Sequence, residues 1–228
     1  MNTHLIRISA IGGMVAIALL VASLTGNFLG EREYVVSESD MVGQEPLLET
    51  VATSSLETAV RDDLIRLREE EKLARDVYTV LGAQWGMRIF ANIARSEQTH
   101  TDAIARLLAR YGISDPVAVD TPGVFTSPVL QTLYADLVAR GVRTRAEALA
   151  VGATIEDLDI HDIETFKAGS VPADILSTYE NLQRGSRNHM RAFIASLKRE
   201  GVWYEPAYIS MDMFEAIIDG EQERGPGR

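Results

Sequence analysis

Apolar side chains recur at alternating intervals of three and four residues in four long stretches of this chain. That spacing places them on one face of an α-helix, because the helix completes a turn about every 3.6 residues. The stretches run from about 56 to 83, 88 to 111, 144 to 167 and 172 to 200, and they are separated by segments that contain glycine or proline. The pattern predicts an all-α fold in which four long helices each bury one face.

The connection between the second and third predicted helices is long. Its first part, residues 113–127, contains two prolines and could cross from one end of a helix bundle to the other. Ser127 followed by Pro128 is typical of a helix start and predicts a short extra helix that ends near residue 140. Thr144 with Glu147 forms a capping box that opens the third long helix. The expected topology is a four-helix bundle whose long crossover carries a short extra helix.

Each of the four apolar faces is interrupted about halfway along by an acid or an imidazole. Burying a carboxylate without a partner costs several kcal/mol of folding free energy. Interruptions at a similar depth therefore need a common source of positive charge, and a divalent cation would supply it. The chain has no cysteine, so oxygen and nitrogen atoms must be the ligands. The candidate ligands on the four faces are Glu71, Glu97, His100, Glu156, Asp159 and His189.

Each candidate also has an ordinary structural interpretation. Glu69–Glu71 is a run of acids, which usually forms a solvated helix face, and only the helical register selects Glu71. Asp157 and Asp159 compete with Glu156, and either could cap a break in the helix, but Glu156 is the preferred ligand. His189 could be a core histidine bonded to a backbone carbonyl. His161 lies off the buried face, so exposure is the better prediction for it.

Charge and composition exclude several functions. The net charge of -11 disfavours binding to nucleic acid, and no cluster of Lys or Arg offsets it locally. The absence of cysteine excludes disulfides, thiolate zinc sites, iron–sulfur clusters and thiol nucleophiles.

The amino-terminal region differs from the rest of the chain. Residues 8–24 carry no charge and are rich in apolar side chains, at a length between a long signal-peptide core and a short membrane span. We therefore expect an exported protein, either secreted or anchored to the outer face of the cell membrane. The expected organisation is a signal peptide or membrane anchor (1–30), an acidic flexible spacer (31–53), a main domain (54–210) and a C-terminal tail (211–228) that is disordered from residue 220.

Several motifs resemble those of ferritin-like proteins. Glu71-Lys-Leu-Ala-Arg-Asp-Val-Tyr78 resembles the first-helix signature of the rubrerythrin type, and Glu97-Gln-Thr-His100 resembles the Glu-x-x-His of their second helix. The stretch 56–210, with Gly123-Val-Phe and Arg184-Gly-Ser-Arg-Asn-His189, resembles the DUF2202 family, which is grouped with the ferritin-like proteins. The resemblance implies that the main domain is a ferritin-like four-helix bundle.

The resemblance also implies a metal centre. Proteins of this superfamily use one Glu from each of two helices and Glu-x-x-His from each of the other two. Ser186 stands where the sixth ligand would be, so Asp159, water or a single-metal site could take its place. The implied cofactor is one or two ions of iron or manganese. Five positions match the pattern, namely Glu71, Glu97, His100, Glu156 and His189.

Two classes of function follow from these expectations. One is an iron- or manganese-dependent oxidoreductase, ferroxidase- or peroxidase-like, that acts on oxygen, peroxide or Fe(II). The other is a non-enzymatic exported helical bundle with a structural metal site or a role as an interaction module. The partners to expect are metal ions, the membrane if the leader is retained, and a second copy of the chain in a homodimer.

Overall fold

The computed structural model describes residues 6–9 and 56–225. These residues are predominantly helical, which confirms the all-α prediction. The two short strands pair in parallel, with Ile6 opposite Val202. The elements are β1 (Ile6–Ser9), α1 (Thr58–Trp85), α2 (Arg88–Arg110), α3 (Pro128–Gly141), α4 (Arg145–Phe166), α5 (Ala173–Arg199), β2 (Val202–Glu205) and α6 (Met211–Asp219).

The predicted helix boundaries are set by local chemistry. Ser127 precedes α3, and its side chain accepts a hydrogen bond from the backbone N–H of Leu130. Thr144 caps α4 in the same way, accepting from the N–H of Glu147. Helix α1 ends at Gly86, whose φ of 64° is the left-handed conformation that glycine adopts without steric strain. The short helix in the crossover and the role of Thr144 as the N-cap of α4 are therefore confirmed.

The four long helices contact one another in a closed ring. Helix α1 packs along α2 and α4 along α5, while α1 also contacts α4 and α2 contacts α5. Helix α3 lies within the long connection and packs against both α1 and α4. Two separate apolar clusters fill the interior, one containing Phe90 and Phe193 and the other containing Leu64 and Leu107. On α1, α2 and α5, the predicted ligand positions fall between these clusters.

Buried charges on α1 hold the crossover in place. The Glu69 carboxylate accepts hydrogen bonds from the backbone N–H groups of Thr126 and Ser127. Lys72 is almost fully buried and donates to the carbonyl of Thr121 at 2.9 Å. These bonds satisfy backbone groups that the irregular crossover would otherwise leave unpaired.

The chain ends lie partly outside the described residues. Of the predicted leader (1–30), only residues 6–9 are described. The predicted spacer (31–53) lies entirely outside the described residues. Among the described residues, no helix combines the length and the apolar character needed to span a membrane.

The carboxyl-terminal end differs from expectation. Residues 211–219, assigned to a tail, form α6, whose Phe214 and Ile217 are buried in the core. Packed structure therefore extends past residue 210. The prediction of disorder from residue 220 is wrong for residues 220–225, because Glu223 forms ion pairs with Arg187 and Arg191 of α5.

Candidate metal centre

Five of the six predicted ligand residues converge at the middle of the four long helices. They come from α1 (Glu71), α2 (Glu97 and His100), α4 (Glu156) and α5 (His189). They form two groups of three, in each of which one ligand atom per residue lies within 4.8 Å of the others. The first group is Glu71, Glu97 and His100, and the second is Glu97, Glu156 and His189. Glu97 belongs to both groups.

The two oxygens of Glu97 point to different histidines. Its Oε2 lies 2.8 Å from Nδ1 of His100, and its Oε1 lies 2.8 Å from Nδ1 of His189. Glu71 Oε2 is 3.2 Å from His100 Nδ1, and Glu156 Oε2 is 3.5 Å from His189 Nδ1. The imidazole rings stack with centroids 5.8 Å apart. One carboxylate thus lies between two imidazole–carboxylate pairs.

Several buried ligand atoms lack a hydrogen-bond partner among the described residues. Both oxygens of Glu97 approach histidine nitrogens closely, yet the pairs do not have the geometry of a hydrogen bond. Buried polar atoms are normally satisfied, so a set of orphans at one place requires an explanation such as an ion. The orphaned atoms are Glu71 Oε1, Glu97 Oε1 and Oε2, Glu156 Oε2, Asp159 Oδ2 and His189 Nδ1.

Burial and mutual charge shift the pKa values of these groups. Burial raises the pKa of Glu71 to about 7, although His100 opposes the shift. Burial, followed by repulsion from neighbouring carboxylates such as Glu71, raises the pKa of Asp159 well above its usual range. Burial alone would raise the pKa of Glu97, but the two histidines outweigh it and lower that pKa. Burial opposes charging of His189, but its carboxylate neighbours raise its pKa to about 10. Without a cation, protons balance the charge of this site.

The three acids of α4 have different roles. Glu156 belongs to the second ligand group. Asp157 accepts hydrogen bonds from the hydroxyl of Tyr204 and the backbone N–H of Ile209, both at 2.9 Å, and so fastens the segment after α5 to α4. Asp159 is buried beside the ligand carboxylates but belongs to neither group. The sequence-based preference for Glu156 over Asp157 agrees with this placement.

Helix α5 contributes no carboxylate at the sixth position. Ser186 is buried, and its hydroxyl donates to the carbonyl of Leu182 in its own helix at 3.2 Å. The preceding residue, Gly185, touches the His100 ring so closely that a Cβ atom there would lie 2.7 Å from Nε2. The small residues of α5 therefore let the imidazole approach the helix backbone.

Two supporting residues were not identified as functional from the sequence. Tyr78 donates a hydrogen bond to Glu156 Oε1 at 2.6 Å. Its position two helical turns after Glu71 was the available signal, because that spacing puts both side chains on one face. The hydroxyl of Ser96 lies 3.1 Å from Nε2 of His189. This contact orients the ring so that Nδ1 faces the carboxylates.

The acidic run on α1 is not a solvated face. Glu69, Glu70 and Glu71 are all buried, each in a different environment. Glu69 binds backbone N–H groups of the crossover, and Glu70 pairs with Arg66 at 2.7 Å. The expectation for such a run is wrong here because the crossover and α4 cover successive faces of α1.

His161 is excluded from the site, as the sequence predicted. Its side chain is 46% exposed, and its Nδ1 lies 2.8 Å from Asp162 Oδ1. It belongs to neither ligand group.

Comparisons with known proteins identify a family, a relative and a solved structure that resemble this chain. The family described as "Uncharacterized protein domain (DUF2202)" matches residues 60–221. "Uncharacterized protein MJ0754" of Methanocaldococcus jannaschii is 52% identical over 168 residues, which cover 74% of this chain and 91% of that protein. The crystal structure of hypothetical protein MJ0754 from Methanococcus jannaschii matches with a TM-score of 0.71 and 47% identity, over 81% of this chain and all of that one. The chain belongs to the DUF2202 family.

Proposed function

We propose that this protein is an exported, ferritin-like four-helix bundle whose function is redox chemistry at a two-metal carboxylate centre of iron or manganese. The substrate class is oxygen, peroxide or Fe(II). The ring of four long helices and the long α2–α4 connection support the ferritin-like assignment. The uncharged segment 8–24 supports export.

The observation that carries the proposal is the shared position of Glu97. Its two oxygens each face a different imidazole, and each imidazole is paired with a further carboxylate, from Glu71 or Glu156. A structural ion pair would need one partner, whereas this arrangement supplies three ligand residues to each of two ions.

The chemistry of the donors fits iron or manganese. Carboxylate-rich ligation with one imidazole per ion suits these metals better than thiolate-preferring ions. Glu71, Glu97, Glu156 and Asp159, all ionised, would carry four negative charges, which two divalent cations would neutralise. Such cations would bind the buried carboxylate oxygens that have no hydrogen-bond partner.

Each residue of the site would have its own role in such a centre. Glu71, Glu97, Glu156 and the two histidines would hold the ions. Tyr78 fixes one oxygen of Glu156. A bound iron or manganese pair would supply one-electron redox chemistry toward oxygen or peroxide. Because Ser186 provides no ligand, exchangeable positions would remain on the α5 side, as a catalytic rather than a structural site requires.

The test is metal titration of the purified full-length chain, first depleted of metal. Anaerobic Fe(II) or Mn(II) should bind at two ions per chain, and the Fe(II)-loaded protein should then consume oxygen or peroxide. Binding without consumption would favour the alternative, a non-enzymatic bundle with a structural metal site. Failure to bind either ion would overturn the proposal.

A further inference from the structure

A second polar cluster lies on another part of α5, outside the metal centre. Arg187 donates two parallel hydrogen bonds to the carboxylate of Glu223, from Nε to Oε1 at 2.7 Å and from Nη2 to Oε2 at 2.5 Å. Arg191 adds a third, from Nη2 to Oε1 at 3.0 Å. Two guanidinium groups thus converge on one carboxylate, and they do so one helical turn apart.

A hollow of about 280 Å³ adjoins this carboxylate. Ile160, Met213, Ala216 and Ile217 give it an apolar wall, formed by α4 and α6. Glu164 also lines it, but Lys167 and Gln183 bind that carboxylate at 3.0 and 2.9 Å. The hollow therefore combines an apolar wall with guanidinium groups at one side, which are the features of a small-molecule site.

The carboxylate of Glu223 reaches the arginines at the end of a short strap, residues 220–225. Asn188 holds the strap through two bonds to the backbone of Glu223, one accepted from its N–H and one donated to its carbonyl, both 2.9 Å. A Cβ at Gly220 or Gly225 would lie 3.3 or 3.2 Å from an arginine Nη2 atom, so the strap approaches α5 closely at both ends. The strap belongs to none of the long helices, so its displacement would leave them intact.

We propose that Arg187, Arg191 and the adjoining hollow form a binding site for a small organic carboxylate, with Glu223 as its internal competitor. The ligand's carboxylate takes the position of the Glu223 carboxylate, and its apolar part enters the hollow. A planar guanidinium group matches a carboxylate because it can donate two parallel hydrogen bonds to it. The apolar wall favours contact with a hydrocarbon chain over contact with water. The hydrogen bonds from Arg187 hold the pKa of Glu223 at about 2, so the competitor stays charged at neutral pH.

The experiment is calorimetric titration of the full-length chain with hexanoate. Glu223→Gln removes the competing charge and should tighten hexanoate binding roughly fivefold or more, because a site blocked part of the time has a proportionally weaker apparent affinity. Glu221→Gln makes the same change in an exposed side chain two residues away and should leave the affinity at the wild-type value. Hexanol, which lacks the carboxylate, should not bind any of the three proteins.

A second variant tests the arginine directly. Arg187→Gln in the Glu223→Gln background should abolish hexanoate binding, while circular dichroism checks that the helices are retained. Arg191 is left intact because its Nε also donates to the carbonyl of Ile217 in the last turn of α6. Equal affinity of the wild-type and Glu223→Gln proteins would overturn the proposal. So would binding of hexanol as tight as that of hexanoate, or binding that survives the loss of Arg187.

Discussion

Glu97 Oε1 lies 2.8 Å from Nδ1 of His189, across the interface between α2 and α5. The other oxygen of the same carboxylate lies 2.8 Å from Nδ1 of His100 in its own helix. A single side chain therefore links the two halves of the candidate site. If the site holds two ions, removing this carboxylate should affect both of them.

The first prediction concerns Glu97→Gln. Metal should stabilise the wild-type protein by about 2.7 kcal/mol when free metal is a hundredfold above its dissociation constant. Glu97→Gln keeps the side-chain volume but removes the shared charge, so this stabilisation should be lost. Thermal melts with and without Fe(II) or Mn(II) measure the difference.

The control for this variant is His161→Gln. His161 is half-exposed and outside the ligand groups, so its replacement should leave the metal-induced rise in melting temperature unchanged. An equal loss in both variants would mean that the metal binds nonspecifically to surface groups.

The second prediction concerns pH. In the metal-free protein the pKa of His189 is raised to about 10 and that of Glu71 to about 7, so the folded state holds more protons than the unfolded state. Glu71 makes the metal-free protein lose stability as the pH rises from about 4.5 to about 7, and His189 does so from about 6.5 to about 10. Metal displaces these protons and therefore binds more tightly as the pH rises. Its effect on the melting temperature should be larger at pH 8.5 than at pH 6.5. A shift that does not grow with pH would contradict the assigned ligands.

The third prediction compares two aspartates of α4. Asp159→Asn removes a carboxyl group that is costly either to bury as an anion or to protonate, so it should stabilise the metal-free protein by roughly 1 kcal/mol and weaken metal binding. Asp157→Asn disrupts the bonds to Tyr204 and Ile209 and should destabilise the protein by roughly 3 kcal/mol in either state. Urea unfolding with and without metal measures both effects. Destabilisation of the metal-free protein by Asp159→Asn would show that this carboxylate has a structural role instead.

The fourth prediction concerns Ser186→Glu, which restores a carboxylate on α5. It should tighten metal binding by roughly tenfold or more, because the new side chain adds a carboxylate to the ligand set. Ser186→Ala removes only a hydroxyl that bonds within its own helix and should change the affinity little. Competition with a chelator of known affinity measures both. Equal affinities in the two variants would argue against an open sixth position.

The sequence by itself determined the helices and the inward direction of the ligands. Helical period and capping residues are local properties of the backbone and its nearest side chains, so they can be predicted without knowledge of packing. Glu71, Glu97 and His189 interrupt apolar faces, and that alone predicted that they are buried together. The register also distinguished His161 from the candidate ligands.

Only the tertiary structure decided which partners these groups meet. Glu97 takes its shared position because α5 brings His189 against α2, and no local pattern specifies that approach. Glu69 is buried because the crossover folds over α1, and residues 220–225 are ordered because Glu223 meets Arg187, far away in the sequence. Such contacts depend on how the helices pack and on where long connections return, and the free energy of each depends on groups distant in the chain.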